Sequence, residues 1–169
     1  EVIPLGNAPD GININANCGS TSPEAMLEAV EKHGADLGIG FDGDADRALI
    51  ADETGHLRDG DAMLFAWARY LKQVDQLAPP SIVATSMSNL GLEHALRDKN
   101  IDFRRASVGD RYVLETLRAT GGVIGGETSG HMIVLDQTTT GDGLICALQI
   151  LAVMKRTGKR LSELAAGML

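Results

Sequence analysis

The sequence predicts an α/β protein. Short apolar runs alternate with segments whose apolar residues recur at helical spacing, and breaks rich in Gly, Pro and Asn separate them. Glu1 to Leu5 reads as a strand, followed by a Gly/Asn/Pro-rich loop to Gly19. Thr21 or Ser22 can cap a helix in which Pro23 takes an early position, Met26, Leu27 and Val30 share a face, and Gly34 is the stop. Leu37 to Phe41 is a buried strand, Asp42 to Arg47 a loop and Ala48 to Ala51 a second strand, turned back by Glu53-Thr54-Gly55. Asp59 and Asp61 then open a helix, where acids suit the dipole, and Leu64, Trp67 and Leu71 repeat along it. Past the break at Gln76 to Pro80, strand Ile82 to Thr85 leads to helix Leu90 to Asp98, and strand Asp102 to Ala106 to helix Arg111 to Thr120. Strands follow around Val123 to Gly126 and Met132 to Leu135, then helices from Gly143 to Lys155 and from Leu161 to Met168.

Composition narrows the function. With 44% hydrophobic and 22% charged residues in 169, the chain has ample material for a core. A net charge of −8 argues against nucleic-acid and anionic-membrane binding, which need clustered Lys and Arg. No apolar run has membrane-spanning length, and no basic region followed by an apolar stretch opens the chain. Cys18 and Cys146 are far apart and lack zinc-type spacing, so reduced thiols in a cytoplasmic protein are expected. Residues 56–169 suffice for a complete domain. Residues 1–55 offer one helix and about three strands, too little to cover both faces of a sheet, so a domain cut on its N-terminal side is expected, with a boundary near Gly55.

Asp42-Gly43-Asp44-Ala45-Asp46-Arg47 is the most informative stretch. In extended chain, alternate residues project to one side, so three carboxylates converge. Their mutual repulsion is relieved by a hard, oxygen-preferring cation, and Mg²⁺ keeps positions open for a phosphate. The loop follows a buried strand, the end of a sheet where α/β proteins bind ligands. A solvated acidic turn would not need three alternating aspartates. An EF-hand would use Glu53 as its last ligand, but Arg47 stands at its obligatory glycine. A haloacid-dehalogenase-type phosphatase would make Asp42 the nucleophile, with Ser86 as phosphate-binding hydroxyl, yet that family continues D-x-D with Gly-Thr, not Ala-Asp-Arg.

The same loop resembles the D-G-D-G-D-R metal loop of the α-D-phosphohexomutases, with Ala45 in place of the commoner glycine. Gly126-Glu127-Thr128-Ser129-Gly130-His131 is similar to the G-E-x-S-G-H sugar-binding loop of that family. Gly11-Ile12-Asn13-Ile14-Asn15 with Cys18-Gly19, Val108-Gly109-Asp110-Arg111-Tyr112 and Thr138-Thr139-Thr140-Gly141-Asp142-Gly143 resemble its glucosamine branch. The resemblance implies three-layer α/β/α domains with mixed sheets, the end of a second domain in residues 1–55 and a third domain in residues 56–169. It implies Mg²⁺ on Asp42, Asp44 and Asp46, Arg47 close to the transferred phosphoryl group, and sugar hydroxyls on Glu127 and Ser129. The implied reaction interconverts glucosamine 6-phosphate and glucosamine 1-phosphate through a bisphosphorylated intermediate. Its phosphoserine and its grip on the non-transferred phosphate belong to first and fourth domains not matched in this chain. A metal- or sugar-binding module without catalysis is the non-enzymatic alternative.

Other residues carry two readings. His131 either exchanges a proton with a sugar hydroxyl or orients its loop. Arg111 either contacts substrate or pairs with a neighbour such as Asp110. Asp142 reads as a helix cap, Trp67 and Tyr112 as core, and His33, His56 and His94 as surface or helix-end residues.

Overall fold

Two sheets organise the chain in the computed structural model, which describes residues 1–168, so Leu169 of the expected third domain lies outside the described residues. The first sheet is antiparallel, ordered β1 (Leu37–Phe41), β2 (Ala48–Asp52), β3 (Leu57–Arg58). The second contains β4 (Ser81–Thr85), β5 (Asp102–Ala106), β6 (Ile124–Gly126) and β7 (Met132–Val134) in the order β5-β4-β6-β7. Its first three strands are parallel and β7 runs antiparallel to β6, so the sheet is mixed.

β4 explains the layering. All five of its residues are buried, as a central strand covered on both faces requires. Alternation sends Val83 to one side, against Val113 and Leu117 of α4 (Asp110–Thr120). Ile82 and Ala84 face the other side, in the large core shared with α2 (Gly60–Gln73), α3 (Leu90–Arg97) and α5 (Gly143–Thr157). Each fully buried Leu or Ile there contributes on the order of 1.5–3 kcal/mol. The short α6 (Leu161–Leu164) closes the core with Leu161 and Leu164.

In the first sheet, Ala51 meets Met26 and Val30 of α1 (Glu24–His33). Gly34 ends that helix in the left-handed conformation. Its expected side-chain cap is absent: Pro23 occupies the cap position, and the Ser22 hydroxyl donates to the Glu24 carboxylate. The opposite face is not bare. Ile50 of β2 shares a core with Cys146, Ile150 and Val153 of α5, so a helix from late in the chain completes the sandwich that residues 1–55 could not build. The sheet also gains β3 from beyond Gly55, where Arg58 pairs at 2.6 Å with the buried Asp52.

Two further expectations fail. Glu1 to Leu5 forms no strand: Val2 is 88% exposed, and the outer edge of β1 is met by Ser20, whose amide donates to Phe41 O. Tyr112 is 47% exposed because Val113 and Leu117 take the sheet-facing side of α4. Trp67 is core and the three other histidines are exposed, as expected. No helix among the described residues is long and apolar enough to cross a membrane.

Candidate functional site

The acidic loop leaves β1 at its carboxyl end and gathers Asp42, Asp44 and Asp46 so that one oxygen of each lies within 4.8 Å of the others. The loop is turned rather than extended. Ala45 adopts φ 58, and its amide donates to Asp42 O at 3.2 Å. The left-handed residue, not strand-like alternation, brings the carboxylates together, and it accounts for the glycine that the resembled loop carries there. Arg47 closes the turn: its amide donates to Asp42 Oδ1, and its Nε lies 3.6 Å from both Asp42 and Asp46.

The electrostatics of this cluster favour a cation. Burial raises the Asp46 carboxyl, the neighbouring Asp42 raises it further by hydrogen bond and charge, His131 lowers it, and Asp44 adds to the rise. Asp46 Oδ1 is buried with no hydrogen-bond partner. A trio of hard carboxylate oxygens with one orphaned suits Mg²⁺, which takes carboxylates together with phosphate oxygens. From below, Gly143 at the start of α5 donates its amide to Ala45 O at 2.8 Å, and Asp142 caps that helix through Ile145 N. The positive end of α5 thus abuts the acidic loop.

Geometry disposes of two alternatives. Glu53 is hydrogen-bonded to the hydroxyl of Ser162, away from the loop, so the EF-hand assignment falls. Asp42 and Ser86 follow strands of different sheets, so the phosphatase arrangement, in which both follow strands of one parallel sheet, is not built here.

The turn Glu127–Gly130 joins β6 to β7, with Gly130 N donating to Glu127 O and Glu127 N to His131 O, both at 3.0 Å. It is bonded directly to the acidic loop. Arg47 and His131 form a β-bridge, Ala48 N donates to Gly130 O, and His131 Nδ1 lies 3.1 Å from Asp46 Oδ2. His131 is 4% exposed, and its Nε2 is buried without a partner against Gly141. The imidazole is thus enclosed on one side and tied to a carboxylate on the other, an arrangement that supports the loop-orienting reading of His131 more than the proton-exchanging one. Glu127 Oε1 accepts from Gly109 N at 3.0 Å, and Ser129 is exposed. Arg111 pairs with Glu115 at 2.8 Å, one turn along α4, rather than with Asp110 through its side chain, and is exposed. It stands two residues beyond the Gly109 that anchors Glu127.

The model described as phosphoglucomutase/phosphomannomutase, alpha/beta/alpha domain III matches residues 59–169, and that for domain II matches residues 1–55. The chain belongs to the phosphoglucomutase/phosphomannomutase family. A phosphoglucosamine mutase of Carboxydothermus hydrogenoformans is 55% identical to it over 99% of the chain, which spans 38% of that relative's length. A solved phosphoglucomutase/phosphomannomutase family protein of Burkholderia thailandensis superposes with TM-score 0.76 at 24% identity, covering 89% of this chain and 32% of its own. Aspergillus fumigatus N-acetylphosphoglucosamine mutase, solved with GlcNAc-6P and magnesium, gives TM-score 0.68 at 18% identity over 92% of this chain and 38% of its own. The mixed three-layer fold is therefore that of the phosphoglucomutase/phosphomannomutase family. Three features lay outside the sequence reading: the docking of Gly143 under the acidic loop, the Gly109–Glu127 bond, and the burial of Asp61. Asp61 was legible only as an acid in a first helical turn.

Proposed function

We propose that this chain is the central part of a phosphosugar mutase interconverting glucosamine 6-phosphate and glucosamine 1-phosphate through a bisphosphorylated intermediate. The observation that carries the reading is the direct bonding of the acidic loop to the Glu127–Gly130 turn, through Asp46–His131 and Ala48–Gly130. The relative named phosphoglucosamine mutase supports the choice of amino sugar. Asp42, Asp44 and Asp46 hold Mg²⁺, which when bound supplies neutralisation of phosphoryl charge. Arg47, half-exposed beside them, presents its remaining guanidinium donors to the phosphoryl oxygens, which a planar fork grips well. Glu127 accepts from sugar hydroxyls and Ser129 both donates and accepts. Arg111 reaches substrate only by leaving Glu115. The transferred group comes from a phosphoserine in a first domain, and a fourth domain grips the second phosphate. The chain alone is inactive. Its two free thiols suit a reducing, cytoplasmic setting.

Calorimetric titration with Mg²⁺ tests the metal half. Asp44 is exposed and makes no ion pair among the described residues, so Asp44→Asn should change little but metal affinity, weakening it about tenfold or more. Equal affinity in the variant would remove the loop from the metal site.

A further inference from the structure

A buried carboxylate outside the acidic loop sits at the start of α2, whose Gly60 is bonded to the sugar-binding turn. Asp61, in the first turn of α2, is fully buried. Its Oδ2 accepts from Asn89 N at 2.7 Å, in the turn that follows β4. The other oxygen, Oδ1, is buried without a bond of standard geometry, as are the hydroxyls of Ser88, from that same turn, and Thr128, from the sugar-binding turn. Both hydroxyls nonetheless act on the carboxyl. Burial raises Asp61 above its ordinary value, the Asn89 amide and Ser88 hydroxyl lower it, the like charge of Asp59 raises it, and the Thr128 hydroxyl lowers it. The Asn89 amide makes the hydrogen bond of standard geometry, and the two hydroxyls act electrostatically. Three of the orphaned polar atoms therefore collect at one point, from three segments of the chain.

The backbone around that point is equally close. Gly60 N donates to Thr128 O at 2.9 Å, and a Cβ on Gly60 would overlap Glu127 O and lie 2.8 Å from Gly130 N. The start of α2 is thus seated directly against the turn that carries Glu127 and Ser129. On the other flank, Arg105 donates to the carbonyls of Thr85, Ser86 and Ser88 at 3.4 Å, and Asn89 caps α3 through Gly91 N. The turn after β4 is held from outside by Arg105 and from inside by Asp61. Both turns leave carboxyl ends of neighbouring parallel strands, where sheets of this type bind ligands. A buried carboxyl is costly unless its hydrogen bonds are needed, and here they span the two turns that frame the crevice.

We propose that Asp61 is a positioning residue that fixes the sugar-binding turn Glu127–Gly130 against the turn Ser86–Asn89. The proposal rests on the reading of Glu127 and Ser129 as sugar ligands. Loss of the junction frees the turn at its Gly60 and Gly109 contacts while the metal loop, bonded independently through Gly143, stays in place.

Amide hydrogen exchange followed by NMR tests this in the 169-residue chain, alongside titration with glucosamine 6-phosphate. Asp61→Ala is expected to speed exchange at Asn89, Gly60 and Gly109 about tenfold, the factor carried by one buried hydrogen bond, and to leave Gly143 unchanged. The sugar phosphate should shift the Glu127–Ser129 amides, with affinity about tenfold lower in Asp61→Ala and restored in Asp61→Asn, whose carbonyl still accepts from Asn89. Where Asp61→Ala does not fold, Thr128→Val gives the same reading at Gly60 and Gly109. Unchanged exchange at Gly109 in both variants, or faster exchange at Gly143 to the same degree, overturns the proposal. A wild-type chain insensitive to the sugar phosphate but showing the local exchange pattern removes the sugar-site reading and leaves the positioning of the turn standing.

Discussion

Gly141→Ala should weaken metal binding by way of His131. A Cβ on Gly141 would lie 2.7 Å from His131 Cδ2 and closer still to Cε1 and Nε2, where real Cβ contacts stay beyond 3.0 Å. The imidazole is 4% exposed, so the ring cannot simply swing out into solvent. The ring must therefore turn, and the 3.1 Å Nδ1–Asp46 contact turns with it. Overpacking a buried site costs about 1–3 kcal/mol, and a hydrogen bond to a charged group is worth about 1.5–3 kcal/mol. Asp46, released, no longer holds its oxygens toward Asp42 and Asp44, and loss of such an outer-shell partner weakens metal affinity about 10–100-fold. Chemical denaturation reads the first cost and calorimetric Mg²⁺ titration the second. A Gly141→Ala chain with wild-type stability and wild-type Mg²⁺ affinity would refute the coupling, because it would show that His131 can move without disturbing the loop.

Ala45→Gly should stabilise the chain by about 0.5–1 kcal/mol in denaturant unfolding, since alanine at φ 58 carries a left-handed penalty that glycine avoids. Asp61→Asn should raise stability at neutral pH. The Asp61 carboxyl is raised by burial, so its contribution is complete below 3.8, its ordinary value, and is lost as pH rises through the folded value. The gain of the variant should therefore fade on acidification toward 3.8, and a constant difference across pH would contradict it. Asp52 behaves oppositely. Burial raises it, but the Thr54 hydroxyl, Arg58 and the Thr54 and His56 amides outweigh that and hold it below 3.8, so its stabilisation is present above 3.8 and lost as pH falls through the folded value. Asp52→Asn should cost about 1.5–3 kcal/mol at neutral pH and progressively less in acid, by urea unfolding at each pH.

Much of this arrangement was legible in the chain because its signals are local. The strand Leu37–Phe41 falls where a short apolar run between breaks puts it, and Gly34 and Asp142 act as stop and cap because each answers to the few residues beside it. The acidic loop was legible for a different reason: three like charges at close spacing call for a cation whatever the backbone does. The features that escaped are long-range. Covering the first sheet takes α5, which begins near residue 143 in sequence but under Ala45 in space. Glu1–Leu5 has strand composition and lacks a strand beside it, and pairing decides such segments. Tyr112 and Val113 are adjacent in sequence, and the helical rotation of α4, not their hydrophobicity, determines which one meets the sheet.

The bonding of the two loops has a consequence for how the site responds to ligand. Asp46 is shared between the prospective metal shell and His131, and His131 belongs to the same turn as Glu127 and Ser129. Any cation that orders Asp46 also restrains His131 and, through the Arg47–His131 bridge and the Ala48–Gly130 bond, one end of the Glu127–Gly130 turn. The other end is held by Gly60 and, through Glu127, by Gly109. Because coupling free energies are reciprocal, a sugar phosphate that tightens the turn must raise metal affinity by the same factor that the metal raises its own. The coupling runs through two backbone contacts and one imidazole, with no moving helix or domain required. It acts within the described residues, independently of whatever supplies the phosphoryl group.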